Sequence, residues 1–141
     1  MAQVLLFAGA LIFLALGVAH GALALRDLSF PRSFTPTDER VRGAMQGATL
    51  AFNSGINLWK AWLGFNLSHS LGLVLFGGGL IAIAWFDFPI FAQGPWVQLA
   101  VIAVAAAYLI LSICFWFRGP VIGTGMGLAC FLASAVIVYV S

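Results

Sequence analysis

His20 and His69 are the only histidines in the chain, and each sits close to the edge of a long apolar run. An ionisable side chain inside a membrane is costly, so each calls for a functional reading. Asn66, Ser68 and Ser70 surround His69, and Gly17, Gly21 and Gly72 flank the two rings with little bulk. Three kinds of chemistry fit these residue types. In the first, both imidazoles are neutral hydrogen-bonding contacts between helices, Asn66 caps the second span, and Ser68 and Ser70 bond backbone. In the second, His20, His69, Asn66, Ser68, Ser70, Asn57, Asn53 and Trp62 line a small cavity for the head of a lipid, quinone or sterol-like ligand. In the third, His20 and His69 are axial ligands of a b-type haem, and Arg26, Arg42 or Lys60 pairs its propionates. A metal site is not expected, because zinc takes three or four protein ligands and the only helpers are Asp27, Asp38 and Glu39 on a connecting loop. No Ser/His/Asp set is visible. Gly77-Gly78-Gly79 lacks the lysine of a phosphate loop and falls in mid-span. No catalytic residue is assigned.

The elements that position these groups follow from composition. Of 141 residues 63% are hydrophobic and 7% charged, and the mean hydropathy is +1.10. A soluble domain carries about 25% charged residues, so lipid must be the main solvent here. Four apolar stretches predict spans at about 4–25, 68–86, 96–117 and 120–140 of one integral membrane domain covering residues 1–141. Each is roughly 28–33 Å long at the helical rise, which matches a hydrocarbon core of about 30 Å. Backbone in lipid must satisfy its own hydrogen bonds, so the spans are helices. Pro89, Gly94 and Pro95 punctuate the second connection, and Gly119-Pro120 the third. Ala22-Leu23-Ala24 resembles a signal-peptide cleavage site. No Lys or Arg precedes Arg26, however, so the positive n-region is missing and the first span is expected to be retained. At 1.5 Å per residue, His20 and His69 both fall within roughly 5–8 Å of the same membrane face.

The connection between the first two spans has its own pattern. Pro31 and Pro36 break it, and Thr37-Asp38-Glu39 suits a helix start. From there to Leu63 the residues Arg42, Gln46, Thr49, Asn53, Asn57 and Lys60 recur at steps of 4, 3, 4, 4 and 3. That spacing predicts one amphipathic helix over about 38–63, lying in the interface or crossing the membrane to line a polar cavity. With four spans, Arg26, Arg32, Arg40, Arg42, Lys60 and Arg118 all share one face, and the opposite loop holds only Asp87. The positive-inside rule then places that face in the cytoplasm and both termini outside. Trp59, Trp62, Trp85 and Trp96 lie where an aromatic belt would put them.

Gly119, Gly123 and Gly127, and likewise Gly17 and Gly21, recur every four residues and predict close helix contacts, within the bundle or with another membrane protein or a second copy. Cys114 and Cys130 lie in apolar runs and read as packing residues. A net charge of +2 offers no nucleic-acid footprint.

The run Leu58-Trp59-Lys60-Ala61-Trp62-Leu63-Gly64-Phe65-Asn66-Leu67-Ser68-His69-Ser70-Leu71-Gly72, followed by Phe76-Gly77, resembles a family of small uncharacterised four-helix bacterial membrane proteins with a Trp-rich GFNxSHSLG segment. Gly17-Val18-Ala19-His20 matches a histidine that family carries near the end of its first span. The resemblance implies a bacterial inner membrane and points to Trp62, Asn66, Ser68, His69, Ser70 and His20. It implies no activity.

The expected fold is thus an all-α membrane protein of four transmembrane helices plus one amphipathic interfacial helix. The expected role is non-enzymatic: a small inner-membrane accessory or scaffold subunit holding a lipid- or quinone-like ligand near His20 and His69. The alternative is a bis-histidine b-haem electron-transfer or quinone-reactive subunit. An enzyme acting on lipid would need a carboxylate beside His69, and Asp87 lies at the far face.

Overall fold

A computed structural model describes residues 1–140. The elements in chain order are α1 (Ala2–Ser29), α2 (Glu39–Gly47), β1 (Thr49–Leu50), β2 (Asn53–Asn57), α3 (Leu58–Phe86), α4 (Phe88–Ala92), α5 (Pro95–Phe115) and α6 (Arg118–Val140). Four of them, α1, α3, α5 and α6, are long and apolar enough to cross a membrane. The fold is all-α apart from one small hairpin.

Helix ends depart from the hydropathy-derived spans for local reasons. Helix α1 continues to Ser29 and stops before Pro31, which lacks the N–H that another turn would need. Helix α3 starts at Leu58, ten residues before the span expected from 68. Asn57 caps it, its Oδ1 accepting the Lys60 N–H at 2.9 Å. No proline occurs between Leu58 and Phe86, and Gly64, the one glycine before Ser68, is too weak a break to stop the helix. Pro95 opens α5 at its first position. Pro120 sits in the first turn of α6, where its missing donor is not needed.

The single amphipathic helix expected over 38–63 is not formed. Asp38 caps α2 by accepting the Arg40 N–H at 2.8 Å, but α2 ends at Gly47 and Ala48 turns extended. Gly43 and Gly47 weaken the helix, and β-branched Thr49 and Ile56 suit strands. β1 pairs antiparallel with β2, Thr49 opposite Asn57 and Leu50 opposite Asn53, with a register shift between. The Asn53 Oδ1 accepts the Gly55 N–H at 2.8 Å, a local turn bond. The 3–4-residue spacing of the polar side chains therefore marks a helix, a turn and a cap in succession, not one stripe.

The chain forms two compact units, Gly17–Gly72 and the remainder; α1 and α3 each supply residues to both. In the remainder, Leu6, Ala10 and Phe13 of α1, Leu80 of α3, Ala105 of α5 and Phe131 of α6 share one buried core. Phe13 packs edge-on to Phe76 at 5.1 Å and stacks on Phe131 at 5.7 Å between ring centroids. Gly77 lets α3 run against the α1 backbone: a Cβ there would lie 2.7 Å from the Ala10 carbonyl oxygen. Gly127 faces Phe13 and Gly123 faces Leu16, so two members of the α6 glycine row are taken up by packing within the chain. The buried Ser134 hydroxyl donates to the Ala2 carbonyl at 2.8 Å, tying α6 to the start of α1.

Candidate functional site

The unit Gly17–Gly72 brings the two histidines together. Their ring centroids lie 5.2 Å apart, edge to face at 65°. His20 is on α1 and His69 on α3, and both are half-buried. The helices are held close by the Ser70 hydroxyl, which donates to the Gly17 carbonyl at 2.7 Å. The Ser70 hydroxyl also fills the place where a side chain on Gly21 would begin. Gly21 thus serves helix approach and does not leave room beside the rings.

One turn before Ser70, Asn66 is fully buried. Its Nδ2 donates to the Trp62 carbonyl at 2.8 Å. A carbonyl only accepts, so this bond sets the amide orientation and turns Oδ1 toward His20 Nε2, 3.1 Å away. Oδ1 in turn only accepts, so Nε2 carries the proton. The His20 ring is held in one tautomer by a side chain whose own orientation is fixed by the α3 backbone.

The loop after α1 closes over this pair. Asp27, two turns beyond His20, is fully buried. Its Oδ1 accepts the N–H groups of Arg32 at 3.1 Å and Ser33 at 2.9 Å. Its Oδ2 accepts the Phe34 N–H at 2.6 Å and the Thr35 hydroxyl at 3.3 Å. Wound around this carboxylate, the loop delivers the Phe34 ring to 4.6 Å from His20. The Trp62 indole N–H donates to the Phe34 carbonyl at 2.8 Å and fastens the loop to α3. Trp62 stacks on Phe65 at 6.4 Å, and Phe65 on His69 at 6.3 Å. The arrangement is an imidazole pair between aromatic walls, with one ring locked from behind.

Of the residues expected at the site, His20, His69, Asn66, Ser70 and Trp62 come together. Ser68 is exposed and its hydroxyl donates to the Phe65 carbonyl. Asn53 and Asn57 are spent on the hairpin turn and the α3 cap, and Asn66 is an interior residue of α3, not a cap. Asp27 and Phe34 join them, and neither is among the residues that the spacing predicts. Asp27 had one legible sign: it is the lone acid on α1, in register with His20, and it precedes Pro31 and a loop rich in backbone donors.

The geometry does not fit a haem between the rings. Two imidazoles sharing one iron, with metal–nitrogen bonds of about 2 Å each, would have centroids about 6 Å apart and one nitrogen of each ring aimed at the metal. Here the rings touch edge to face, and His20 Nε2 faces Asn66. Arg42 lies on α2 beside Glu39 at 3.9 Å, and Lys60 is exposed on the first turn of α3. Among the described residues no three His, Cys, Asp or Glu side chains converge on a point. An apolar groove of about 500 Å³ runs between α3 and α5, lined by Leu75, Phe76, Gly79, Trp96, Val97 and Val104, but none of these belongs to Gly17–Gly72.

Comparison with protein families, with curated proteins and with solved structures finds no match for this chain.

Proposed function

We propose that this chain is a non-enzymatic accessory subunit of a bacterial inner membrane, and that His20 and His69 hold the head of a lipid- or quinone-like ligand. The observation that carries this reading is the half-buried imidazole pair, 5.2 Å between centroids, walled by Phe34 and Phe65. A few fixed polar groups in an apolar, aromatic surround are what recognise an amphiphile's head. Binding is favoured over catalysis by Asp27. It is the one buried carboxylate among the described residues, and both its oxygens accept loop donors, so its part is to hold the loop rather than to move a proton.

Mass spectrometry of the protein in mild detergent tests this. The wild type is expected to carry a discrete added mass in the lipid or quinone range, and His69→Ala to lose it. A bare wild-type polypeptide would contradict the reading.

The accessory role is supported by the exposed apolar side chains of the four long helices, which suit lipid or another membrane protein. The proposed topology has both termini in the periplasm. Its support is the placement of Arg26, Arg32, Arg40, Arg42 and Lys60 around the α1–α3 connection, with Arg118 following two candidate spans later. A membrane-impermeant thiol reagent added to intact cells is expected to label Gln93→Cys and to spare Arg32→Cys. The reverse pattern would overturn the orientation.

A further inference from the structure

We propose that the α1–α3 connection is a docking surface for anionic phospholipid headgroups of the membrane that holds the chain, with the hairpin tip at Phe52 inserted among them. Helix α1 ends at Ser29 and α3 begins at Leu58, and both are long and apolar enough to cross a membrane. The segment 30–57 is therefore tethered to one membrane face at both ends.

Its charges are uncompensated. The unit Gly17–Gly72 carries Arg26, Arg32, Arg40, Arg42 and Lys60 against Asp27, Asp38 and Glu39. Each acid is already employed. Asp27 is buried by loop donors, Asp38 caps α2, and Glu39 lies 3.9 Å from Arg42 in the one ion pair among the described residues. Arg26, Arg32, Arg40 and Lys60 are exposed, and none has a carboxylate within ion-pair distance among those residues.

The same segment exposes apolar side chains. Phe52, at the tip between β1 and β2, is 86% exposed, and Phe30 is 73% exposed. Large rings are poorly placed in water, and the polar hairpin beneath Phe52 offers it no cover. Unpaired cations interleaved with exposed aromatic rings on a membrane-tethered segment match an anionic leaflet in both charge and polarity. None of these residues belongs to the histidine pair.

The test places the full chain in nanodiscs of phosphatidylcholine alone or mixed with phosphatidylglycerol. An environment-sensitive fluorophore is attached at Ala51→Cys, beside the intact Phe52, with Cys114 and Cys130 replaced by serine. The label is expected to shift to the blue and to be shielded from an aqueous quencher in the anionic discs. High salt should erase the difference between the two lipids, since exposed charges are then screened. Arg32→Gln with Arg40→Gln should weaken the shielding equilibrium about fivefold per cation removed. A label equally accessible in both lipids would overturn the proposal. So would shielding indifferent to salt and to the arginines, or shielding that appears only when a soluble acidic protein is added.

Discussion

Replacing Asp27 with alanine is expected to lower stability by about 3 kcal/mol, because it removes the acceptor of four loop donors at once. Bonds to a charged acceptor are worth about 1.5–3 kcal/mol each, but loop amides at a membrane surface can rehydrate, so the total is well below their sum. Asp27→Asn keeps one carbonyl acceptor and should recover part of the loss, giving the order wild type, asparagine, alanine. The effect reaches the site: a released loop withdraws the Phe34 ring from His20 and leaves the Trp62 indole N–H without its carbonyl. Denaturant titration in detergent micelles reads the order. An alanine variant within about 0.5 kcal/mol of wild type would mean the loop is held by something else.

Gly77→Ala is expected to cost a similar amount, about 3 kcal/mol, at the upper end of ordinary overpacking. The added methyl would meet backbone on α1, the Ala10 carbonyl oxygen at 2.7 Å and the Leu14 Cα at 2.9 Å. Backbone cannot rotate away as a side chain can, so the two helices must part or shift. The adjacent glycine is the control: a Cβ on Gly78 meets nothing within 4 Å. Gly78→Ala should be neutral, or stabilising by up to about 1 kcal/mol through helix propensity. Similar midpoints for the two variants in the same titration would contradict the close α1–α3 contact.

The four crossing helices were legible from apolar run length alone, since lipid leaves the backbone no alternative to the helix. Their ends were not. A hydropathy window closes where polar residues begin, whereas a helix closes where capping and proline chemistry says so. Asn57 and Pro31 therefore displaced the boundaries of α3 and α1. The 38–63 segment misled because polar residues three and four apart also arise when a short helix, a turn and a cap follow one another. Equal depth along two consecutive spans pointed to a meeting of His20 with His69, and the rings lie 5.2 Å apart. What spacing could not convey was the hierarchy behind them. Asn66 takes its orientation from the Trp62 carbonyl one helical turn back, and Phe34 takes its place from Asp27 through a bond that depends on loop path rather than on helical spacing.

The central claim is that His20 and His69 form one ligand site, and a double-mutant cycle on ligand retention tests it most directly. Retained mass is compared for wild type, His20→Ala, His69→Ala and the double variant, alongside their thermal midpoints. The account predicts that either single substitution strips the ligand as completely as both together, a strongly non-additive cycle. Independent, additive losses, or a retained mass indifferent to both histidines, would contradict it and leave the pair as a contact between helices.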